Sequence, residues 1–378
     1  MTREDAKKLL RKTFAKFADE VLKPIANELE EREEFPRHIF ERLGKMGAYG
    51  IRYPEEVGGA NAGCTMFCIM CEELARVSMS VAAFTAMQCL MSTDFLFNHG
   101  TEEIKKNYLK PALRGKLVGA FSLTEPDAGS DLGNIRTMAK QVGDEFVING
   151  LKSWVTNAPY ADMFTVLCQT DKSKGIRGVN FFFIPRDTPG VSVSKKFDKM
   201  GTRATLIAEL ALEEVHVPLE YRLGDEGRGL GNLMRILAEI RIMTAALSLG
   251  LARGAYEESF QYAKDRVQFN KPIGQYQAIQ MKLGTIATEI YASHLITYDV
   301  TAMIDRNERC LKEASMAKLF VSEVACRAAD EATRIFGAYS YANEYPANRF
   351  FRDTRFLLFG GGTSEILQTM IARYEGLF

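Results

Sequence analysis

A glycine-containing turn with small hydroxyl residues is the first segment of the chain that could bind a ligand. It spans Phe121–Asp131 and contains Ser122, Thr124, Gly129 and Ser130. Glycine and short side chains leave backbone N–H groups and hydroxyls open to a flat heteroaromatic ring. We therefore predict a cofactor-binding turn, for which a solvated loop is the alternative.

One carboxylate, Asp94, stands out in an otherwise apolar stretch. Its neighbours at helical spacing include Met87, Leu90, Met91 and Phe97. A carboxylate on so apolar a stripe should have its charged form disfavoured, which suits a general base that works near neutral pH. In the alternative interpretation, Asp94 caps a helix or hydrogen-bonds a neighbouring loop.

Composition excludes several other classes of function. Lys plus Arg (48) equals Asp plus Glu (48), so the charge predicts neither nucleic acid nor a membrane surface as a partner. No apolar run reaches the roughly 20 residues that span a bilayer, and the N-terminus lacks a signal-peptide core, so we expect a cytoplasmic protein. Cys64, Cys68 and Cys71 have no neighbouring His to complete a metal site, which predicts buried thiols and no metal.

The elements that must position these residues fall into three segments. Residues 1–116 have helical patterns, including an amphipathic Met1–Glu31 and a long apolar helix over Glu72–Asn98. Residues 117–222 change to strand periodicity. Residues 223–378 return to long helical runs over Leu230–Phe269, Tyr276–Arg306 and Leu311–Ile335. Strands flanked by helices must pair among themselves. We predict an N-terminal α-helical domain, a middle antiparallel β-barrel domain and a C-terminal domain like a four-helix bundle.

The turn at Phe121–Asp131 resembles the signature of the acyl-CoA dehydrogenase family. Further matches lie in register: Lys152–Asn157 with the only Trp, Arg266–Phe269, Gly337–Tyr341 and Thr363–Ile366. The resemblance covers essentially the whole chain, and its motifs are specific in combination. It implies an FAD-dependent dehydrogenase of a CoA thioester, assembled as a homotetramer, with an electron-transferring flavoprotein as electron acceptor.

The resemblance also implies the binding residues. Those implied for FAD are Phe121, Leu123, Thr124, Gly129, Ser130, Trp154, Thr156, Arg266, Phe269, Gln277, Arg334, Gly337, Thr363 and Glu365. Those implied for the substrate are Ser130, Arg241, Leu90, Phe95, Gly361 and Gly362. In the family, the residue at Arg266 contacts FAD of a neighbouring subunit. The chain departs from the family pattern at Ala338 and Ser340, which replace glycines, and at Arg334, where Gln is usual.

The base of the family is missing. Ordinary members remove the α-proton with a Glu two residues before the Thr of the C-terminal motif, while the β-hydride leaves to flavin N5; here Gly361 holds that position. Other members carry the base just before the family's Arg, and here Ile240 precedes Arg241. Glu239 is one residue further, which turns it by roughly 100° on a helix. It stays an alternative base.

Three hypotheses follow: a scaffold that only binds acyl-CoA, a conventional enzyme with Glu239 as base, or a base at Asp94. A base at Asp94 would reach the distal part of the acyl group and not the α-carbon. A proton there, for example on the γ-carbon, is acidic only if an α,β double bond conjugates the resulting negative charge with the thioester carbonyl. This pattern resembles the cyclohex-1-ene-1-carbonyl-CoA dehydrogenases of anaerobic aromatic and alicyclic acid metabolism. It predicts a 1,4-elimination to a conjugated diene. Conventional α,β-dehydrogenation of cyclohexanecarbonyl-CoA or a short-chain acyl-CoA is the alternative.

Overall fold

A computed structural model describes residues 2–377 of the chain. Its α-helices are α1 (Arg3–Phe17), α2 (Ala26–Arg32), α3 (Arg37–Lys45), α4 (Gly63–Ala75), α5 (Met79–Ala86), α6 (Asp94–His99), α7 (Glu102–Ile104), α8 (Lys110–Leu113), α9 (Gly229–Asp265), α10 (Gln277–Asp305), α11 (Leu311–Phe336), α12 (Pro346–Thr354) and α13 (Ser364–Tyr374). Its strands are β1 (Gly119–Ser122), β2 (Met138–Val142), β3 (Glu145–Thr156), β4 (Met163–Gln169), β5 (Val179–Pro185), β6 (Val191–Val193), β7 (Ile207–Pro218), β8 (Arg222–Leu223), β9 (Val267–Gln268) and β10 (Lys271–Pro272). The predicted order of helical, β and helical domains is confirmed.

The middle domain is one sheet of eight strands in the order β6-β7-β3-β2-β4-β5-β8, with β1 beside β4. Most pairs are antiparallel, as predicted, but β1 runs parallel to β4 and β2 meets β4 in one parallel pair. The predicted antiparallel β domain is therefore confirmed, with β1 and the single β2–β4 pair as parallel exceptions. Strand β1 enters directly from the N-terminal domain, and its end leads into the turn that the sequence marks as a ligand site.

The N-terminal helices are shorter than predicted. The helix expected over Glu72–Asn98 begins earlier, at Gly63, and is interrupted after Ala75. The Ser78 side chain then caps α5 by accepting from the backbone N–H of Val81. Two further departures from α geometry follow, a π-helical segment at residues 87–91 and the break before α6. The interruption after Ala75 separates α4 from the following helix, whereas Met79–His99 runs as one helix with a π-helical segment in its middle.

The segment Met79–His99 is long and apolar enough to cross a membrane by length and composition, with a mean hydropathy of 1.2. The prediction that no run reaches this length is thus wrong. However, 78% of its most apolar 18-residue window is buried inside the protein, which is the behaviour of a core helix.

The C-terminal domain is built from the long helices α9, α10 and α11, whose bounds agree with the predicted runs to within a few residues. Helix α9 packs against both α11 and α4, so it joins the C-terminal domain to the N-terminal one. One hydrophobic core therefore continues through both helical domains, and the middle sheet has a second core on its other face. This arrangement places α9 at the centre of the molecule.

Candidate active site

The turn that follows β1 is held by a buried ion pair. The Lys152 side chain is fully buried, and its Nζ donates to a Glu125 carboxylate oxygen at 2.8 Å and to the Leu123 carbonyl at 3.1 Å. Glu125 also accepts from the backbone N–H groups of Arg136 (2.6 Å) and Thr137 (2.9 Å). Burial acts to raise the pKa of Glu125, but Lys152 and these donors hold it below its usual value. The sequence motif contained Lys152, yet this role was missed.

A β-bulge on β3 presents Trp154 beside the same turn. The pairing of β3 with β7 shifts between residues 152 and 155, and Trp154 adopts the left-handed conformation with φ of 58°. The neighbouring Ser153 N–H donates to the Thr124 carbonyl at 2.9 Å, which ties the bulge to the turn. As a result Trp154 is 58% exposed, although it packs on Phe197 with ring centroids 4.9 Å apart.

This surface fits a flat heteroaromatic cofactor. An open indole face stands next to the partly buried Thr124 and Thr156, and the Ser122 hydroxyl at the end of β1 is buried without a partner. Phe121 is buried, Leu123 is partly buried, and Gly129 and Ser130 lie exposed on the turn. Five of the seven FAD residues predicted in the middle domain thus lie at the end of β1 or on the turn, and Trp154 and Thr156 lie on β3, which the hydrogen bond of Ser153 to Thr124 joins to the turn.

A second group of predicted FAD residues lies on the surface of the C-terminal domain. Arg266 lies over the Tyr339 ring at 5.4 Å, which links it to the loop of Gly337. Phe269 is 89% exposed, and Gln277 is exposed at the start of α10. Arg334 is exposed and pairs with Asp330 at 2.7 Å. Among residues 2–377, no hydrogen bond, ion pair or ring contact joins this group to the middle-domain turn.

Gly361 lies in the turn before α13, with φ of 75°. An added Cβ there would lie 3.1 Å from the Thr244 hydroxyl and 3.8 Å from the Ile240 side chain, both on α9. Gly362 has φ of 113°, and its carbonyl accepts from the buried Lys318 Nζ at 2.6 Å. Thr363 then caps α13 through the Ile366 N–H (3.2 Å), and Glu365 is exposed in the first turn. The position that holds the base in the family therefore carries no side chain here, and its left-handed backbone conformation favours glycine.

Asp94 is the first residue of α6 and is 1% exposed. The prediction of an apolar environment is wrong for its two oxygens, because each contacts an arginine. One oxygen accepts from Arg52 at 3.0 Å, and the other pairs with Arg235. The contact with Arg52, beside the loop at residues 53–59, agrees with the alternative in which Asp94 bonds a neighbouring loop.

The same arginine joins the two candidate bases. Arg52 bonds Asp94 with one terminal nitrogen and Glu239 on α9 with the other. Arg52 also donates to the Tyr53 hydroxyl at 3.3 Å, and its Nε is buried without a partner. No sequence pattern marked Arg52 or Arg235, because only the fold brings them within reach of a carboxylate 42 and 141 positions away.

The remaining predicted substrate residues are buried around α9 and α6. Leu90 and Phe95 are fully buried, and the Phe95 ring lies 5.6 Å from Phe121 of the cofactor turn. Arg241 is 3% exposed and donates to the Ser315 hydroxyl at 2.7 Å. Helix α6, which carries Asp94 and Phe95, is therefore in direct contact with β1, the strand that carries Phe121.

The cysteines form no metal site in residues 2–377, where no group of His, Cys, Asp and Glu could hold an ion. Cys64, Cys68 and Cys71 are buried on α4, and the first two sulfurs lie 4.0 Å apart. Burial raises the pKa of Cys71 well above its usual value, which is typical of an inert core thiol. The prediction of buried thiols is confirmed.

Comparison with known proteins gives matches along the whole chain. Three family models match: "Acyl-CoA dehydrogenase, N-terminal domain" over residues 4–116, the middle domain over 120–215 and the C-terminal domain over 227–375. The chain is 45% identical to benzylmalonyl-CoA dehydrogenase of Aromatoleum aromaticum, covering 98% of this chain and 97% of that protein. It is 38% identical to subunit CarC of the caffeyl-CoA reductase-Etf complex of Acetobacterium woodii, covering 97% of each.

A solved structure gives the same result at the level of the fold. The chain resembles butyryl-CoA dehydrogenase from Megasphaera elsdenii with a TM-score of 0.95 and 32% identity, over 99% of this chain and 98% of that one.

Proposed function

The chain belongs to the acyl-CoA dehydrogenase family of FAD-dependent oxidoreductases, and we propose that it oxidises a CoA thioester that carries a carboxylate on its α-carbon. The observation that carries the proposal is Gly361, which stands at the family's base position and has no side chain; a Cβ added there would lie nearest to Thr244 and Ile240. The relative from Aromatoleum aromaticum acts on benzylmalonyl-CoA, a thioester with a carboxylate at that carbon. We propose a substrate of this 2-carboxyacyl class.

Such a substrate needs no base at the α-carbon. The bond between the α-carbon and the carboxyl carbon breaks, and its electron pair forms the new α,β double bond as a hydride leaves the β-carbon. FAD, when bound, supplies the acceptor for that hydride. The products are an enoyl-CoA and CO2, so CO2 takes the place of the proton that other members remove with a Glu.

The residues of the chain position the reactants. Lys152 and Glu125 fix the turn that would hold the ring, and the bulge sets Trp154 and Thr156 beside it. Gly361 places no side chain at the family's base position, and we propose that the substrate carboxylate lies on this side of the ring. A preformed site of this kind lowers the entropy lost on reaching the reactive geometry.

We also propose a cytoplasmic homotetramer that passes electrons to an electron-transferring flavoprotein. The exposed group around Arg266 and Phe269 supports an assembly in which a neighbouring subunit completes the FAD site. The similarity to a subunit of a caffeyl-CoA reductase-Etf complex supports the acceptor.

A pair of CoA esters tests the proposed substrate class. Benzylmalonyl-CoA and 3-phenylpropionyl-CoA differ only in the α-carboxylate, and each is mixed anaerobically with the FAD-loaded enzyme. We expect bleaching of the flavin absorption to be at least about 100-fold faster with benzylmalonyl-CoA, because general base catalysis is absent for the other ester. Equal bleaching by both esters, or faster bleaching by 3-phenylpropionyl-CoA, would contradict the proposal.

The second candidate is the 1,4-dehydrogenation of a cyclic enoyl-CoA such as cyclohex-1-ene-1-carbonyl-CoA, with Asp94 as base. It is favoured by the position of Asp94, which is buried next to Phe95, a residue in contact with Phe121 of the cofactor turn. Arg52 and Arg235 occupy both carboxylate oxygens, so Asp94 would have to release one arginine before it accepts a proton.

Substitution of the two candidate carboxylates separates these functions. If Asp94 is the base, Asp94→Asn abolishes bleaching by cyclohex-1-ene-1-carbonyl-CoA while FAD stays bound, and Glu239→Gln retains it. Undiminished bleaching in Asp94→Asn removes Asp94 as the base. Loss in Glu239→Gln alone would assign the base to Glu239.

A further inference from the structure

Arg241 is a buried cation without an acidic partner. It is 3% exposed, and its donors meet only neutral groups, the Ser315 hydroxyl at 2.7 Å and the Met370 sulfur at 3.1 Å. Its Nε is buried with no hydrogen-bond partner, and none of the ion pairs within residues 2–377 includes it. Burial lowers the pKa of Arg241, as expected for a charge held away from water without a counter-ion.

A second buried cation, Lys318, stands on the same face of α11 as Ser315. Lys318 is fully buried, and its Nζ donates to two carbonyls, Gly362 at 2.6 Å and Leu358 at 3.4 Å. Burial lowers the pKa of Lys318 to about 8; Glu323 opposes this shift and the charge of Arg241 adds to it. Lys318 therefore fixes the glycine turn, and the two cations are near enough to influence each other.

Two partly buried arginines of the chain contact carboxylates. Arg52 bonds Asp94 and Glu239, and Arg253 bonds Glu72 and Glu73. An ionised group that is buried without a partner is strongly disfavoured, so such groups are normally paired. Within residues 2–377, the more deeply buried Arg241 and Arg349 both bond only neutral groups. The charges of Asp353 and Glu30 act on Arg349, whereas Arg241 lies in the part of the molecule where the family's carboxylate is missing.

The position of Arg241 identifies the missing partner. Its neighbours on α9, Ile240 and Thr244, are the residues closest to Gly361. A glutamate at Gly361 would bring a negative charge into this region, whereas glycine leaves the positive charge uncompensated. We propose that Arg241 is a substrate-binding residue that receives the α-carboxylate of a 2-carboxyacyl-CoA, with Lys318 as the positioning residue of the adjoining turn. This inference rests on the proposed function.

The role of Arg241 has a kinetic consequence. The carboxylate departs as neutral CO2, so its attraction to the guanidinium is strongest before the bond breaks. Arg241 therefore contributes to substrate binding and selection, and its loss should raise KM more than it lowers kcat.

Malonyl-CoA and acetyl-CoA test the role of Arg241 in binding alone, because neither ester can transfer a hydride to the flavin. Malonyl-CoA carries the α-carboxylate but has no β-carbon from which a hydride could leave, and acetyl-CoA lacks only the carboxylate. Dissociation constants of both, and of free CoA, are measured on the FAD-loaded enzyme from the perturbation of the flavin spectrum. We expect malonyl-CoA to bind the unmodified enzyme at least about 10-fold more tightly than acetyl-CoA, because a charge-assisted contact is added.

In Arg241→Met, this preference should fall to about one, with the affinities of acetyl-CoA and free CoA unchanged. Arg241→Lys keeps the charge without the planar donor array and should retain part of the preference. If Arg241→Met fails to fold, Arg241→Lys alone decides. In that variant, an unchanged 10-fold preference for malonyl-CoA over acetyl-CoA, together with an unchanged KM for benzylmalonyl-CoA, would overturn the assignment. An equal loss of affinity for malonyl-CoA, acetyl-CoA and free CoA in either variant would also overturn the assignment. Arg241 would then bind a phosphate of CoA and not the α-carboxylate.

The inference and the proposed function can fail separately. If the enzyme releases CO2 from benzylmalonyl-CoA but Arg241→Met keeps the preference for malonyl-CoA, only the role of Arg241 is wrong. If the preference depends on Arg241 but benzylmalonyl-CoA yields no CO2, the binding site stands and the proposed reaction is wrong.

Discussion

The two sides of the candidate site differ in how far they keep the pattern of the family. On the cofactor side, the turn after β1, the buried pair of Lys152 with Glu125 and the bulge at Trp154 form a fixed surface that fits a flat ring. On the side of the α-carbon, glycine replaces the carboxylate, and Arg241 is buried without a counter-ion. The difference supports the proposal that the redox half of the reaction is retained and that a different bond is broken at the α-carbon.

The charged cluster at Asp94 strengthens this contrast. Two arginines and two carboxylates balance there, since Arg52 joins Asp94 to Glu239 and Arg235 pairs with Asp94. Arg241, which follows Ile240 on α9, has no such ion pair within residues 2–377. A carboxylate of the substrate would supply it.

The largest effect is expected from breaking the buried pair on the cofactor side. Lys152→Met should destabilise the protein by about 3–5 kcal/mol, because Glu125 would remain as a buried charge without its cation. Urea unfolding of the FAD-loaded enzyme measures this loss. The double variant Lys152→Met with Glu125→Gln should recover part of it, and no recovery would show that the pair is not what stabilises the turn.

Gly361→Glu converts the α-carbon side back to the family pattern. We expect bleaching by 3-phenylpropionyl-CoA to rise on the order of 100-fold, because the new carboxylate can act as a base. CO2 release from benzylmalonyl-CoA should fall, since the glutamate takes the space of the substrate carboxylate. Gly361→Ala is the matched control, because it adds a Cβ 3.1 Å from the Thr244 hydroxyl and strains a φ of 75° without adding a base. A gain in Gly361→Ala equal to that in Gly361→Glu would contradict this explanation.

Substitution at the charged cluster should affect the proposed reaction less. Asp94→Asn removes one partner of Arg52 and Arg235 but no reacting group, so we expect less than about a 10-fold loss in CO2 release from benzylmalonyl-CoA. The rate is measured on variants shown to retain FAD, with Glu239→Gln as the control at the other end of Arg52. Complete loss in Asp94→Asn would favour Asp94 as the base.

The smallest effect is a pH dependence of ligand binding. The pKa of Lys318 lies at about 8, so its positive charge is present at pH 7 and is lost as the pH rises through this value. The affinity for malonyl-CoA should therefore fall about 3- to 10-fold between pH 7 and 9, while that for acetyl-CoA stays constant. Lys318→Arg stays charged in this range and should abolish the fall. An unchanged fall in Lys318→Arg would assign it to another group.

The sequence predicted the domains and the cofactor turn because both depend on local patterns. Periodicity identified α9 to within a few residues, and Gly361 could be found from its spacing to Thr363. The surroundings of Asp94 were predicted wrongly because an apolar helical stripe does not reveal that Arg52 folds onto its end. The long helix expected over Glu72–Asn98 was wrong because hydrophobicity is continuous across the cap at Ser78.

The sequence also could not predict that Arg241 has no carboxylate partner, because this depends on which side chains lie near it in the folded protein. Local patterns specify helices, strands and turns, whereas ion pairing between distant segments is decided by packing.

The fate of the substrate carboxylate tests the central claim most directly. A single anaerobic turnover is run with benzylmalonyl-CoA labelled with carbon-13 in its free carboxyl group, and labelled CO2 is measured against the amount of flavin reduced. We predict that labelled CO2 and reduced flavin appear in equal amounts and at the same rate. Flavin reduction with the label retained in the acyl product would contradict it, because proton removal would then be the step at the α-carbon.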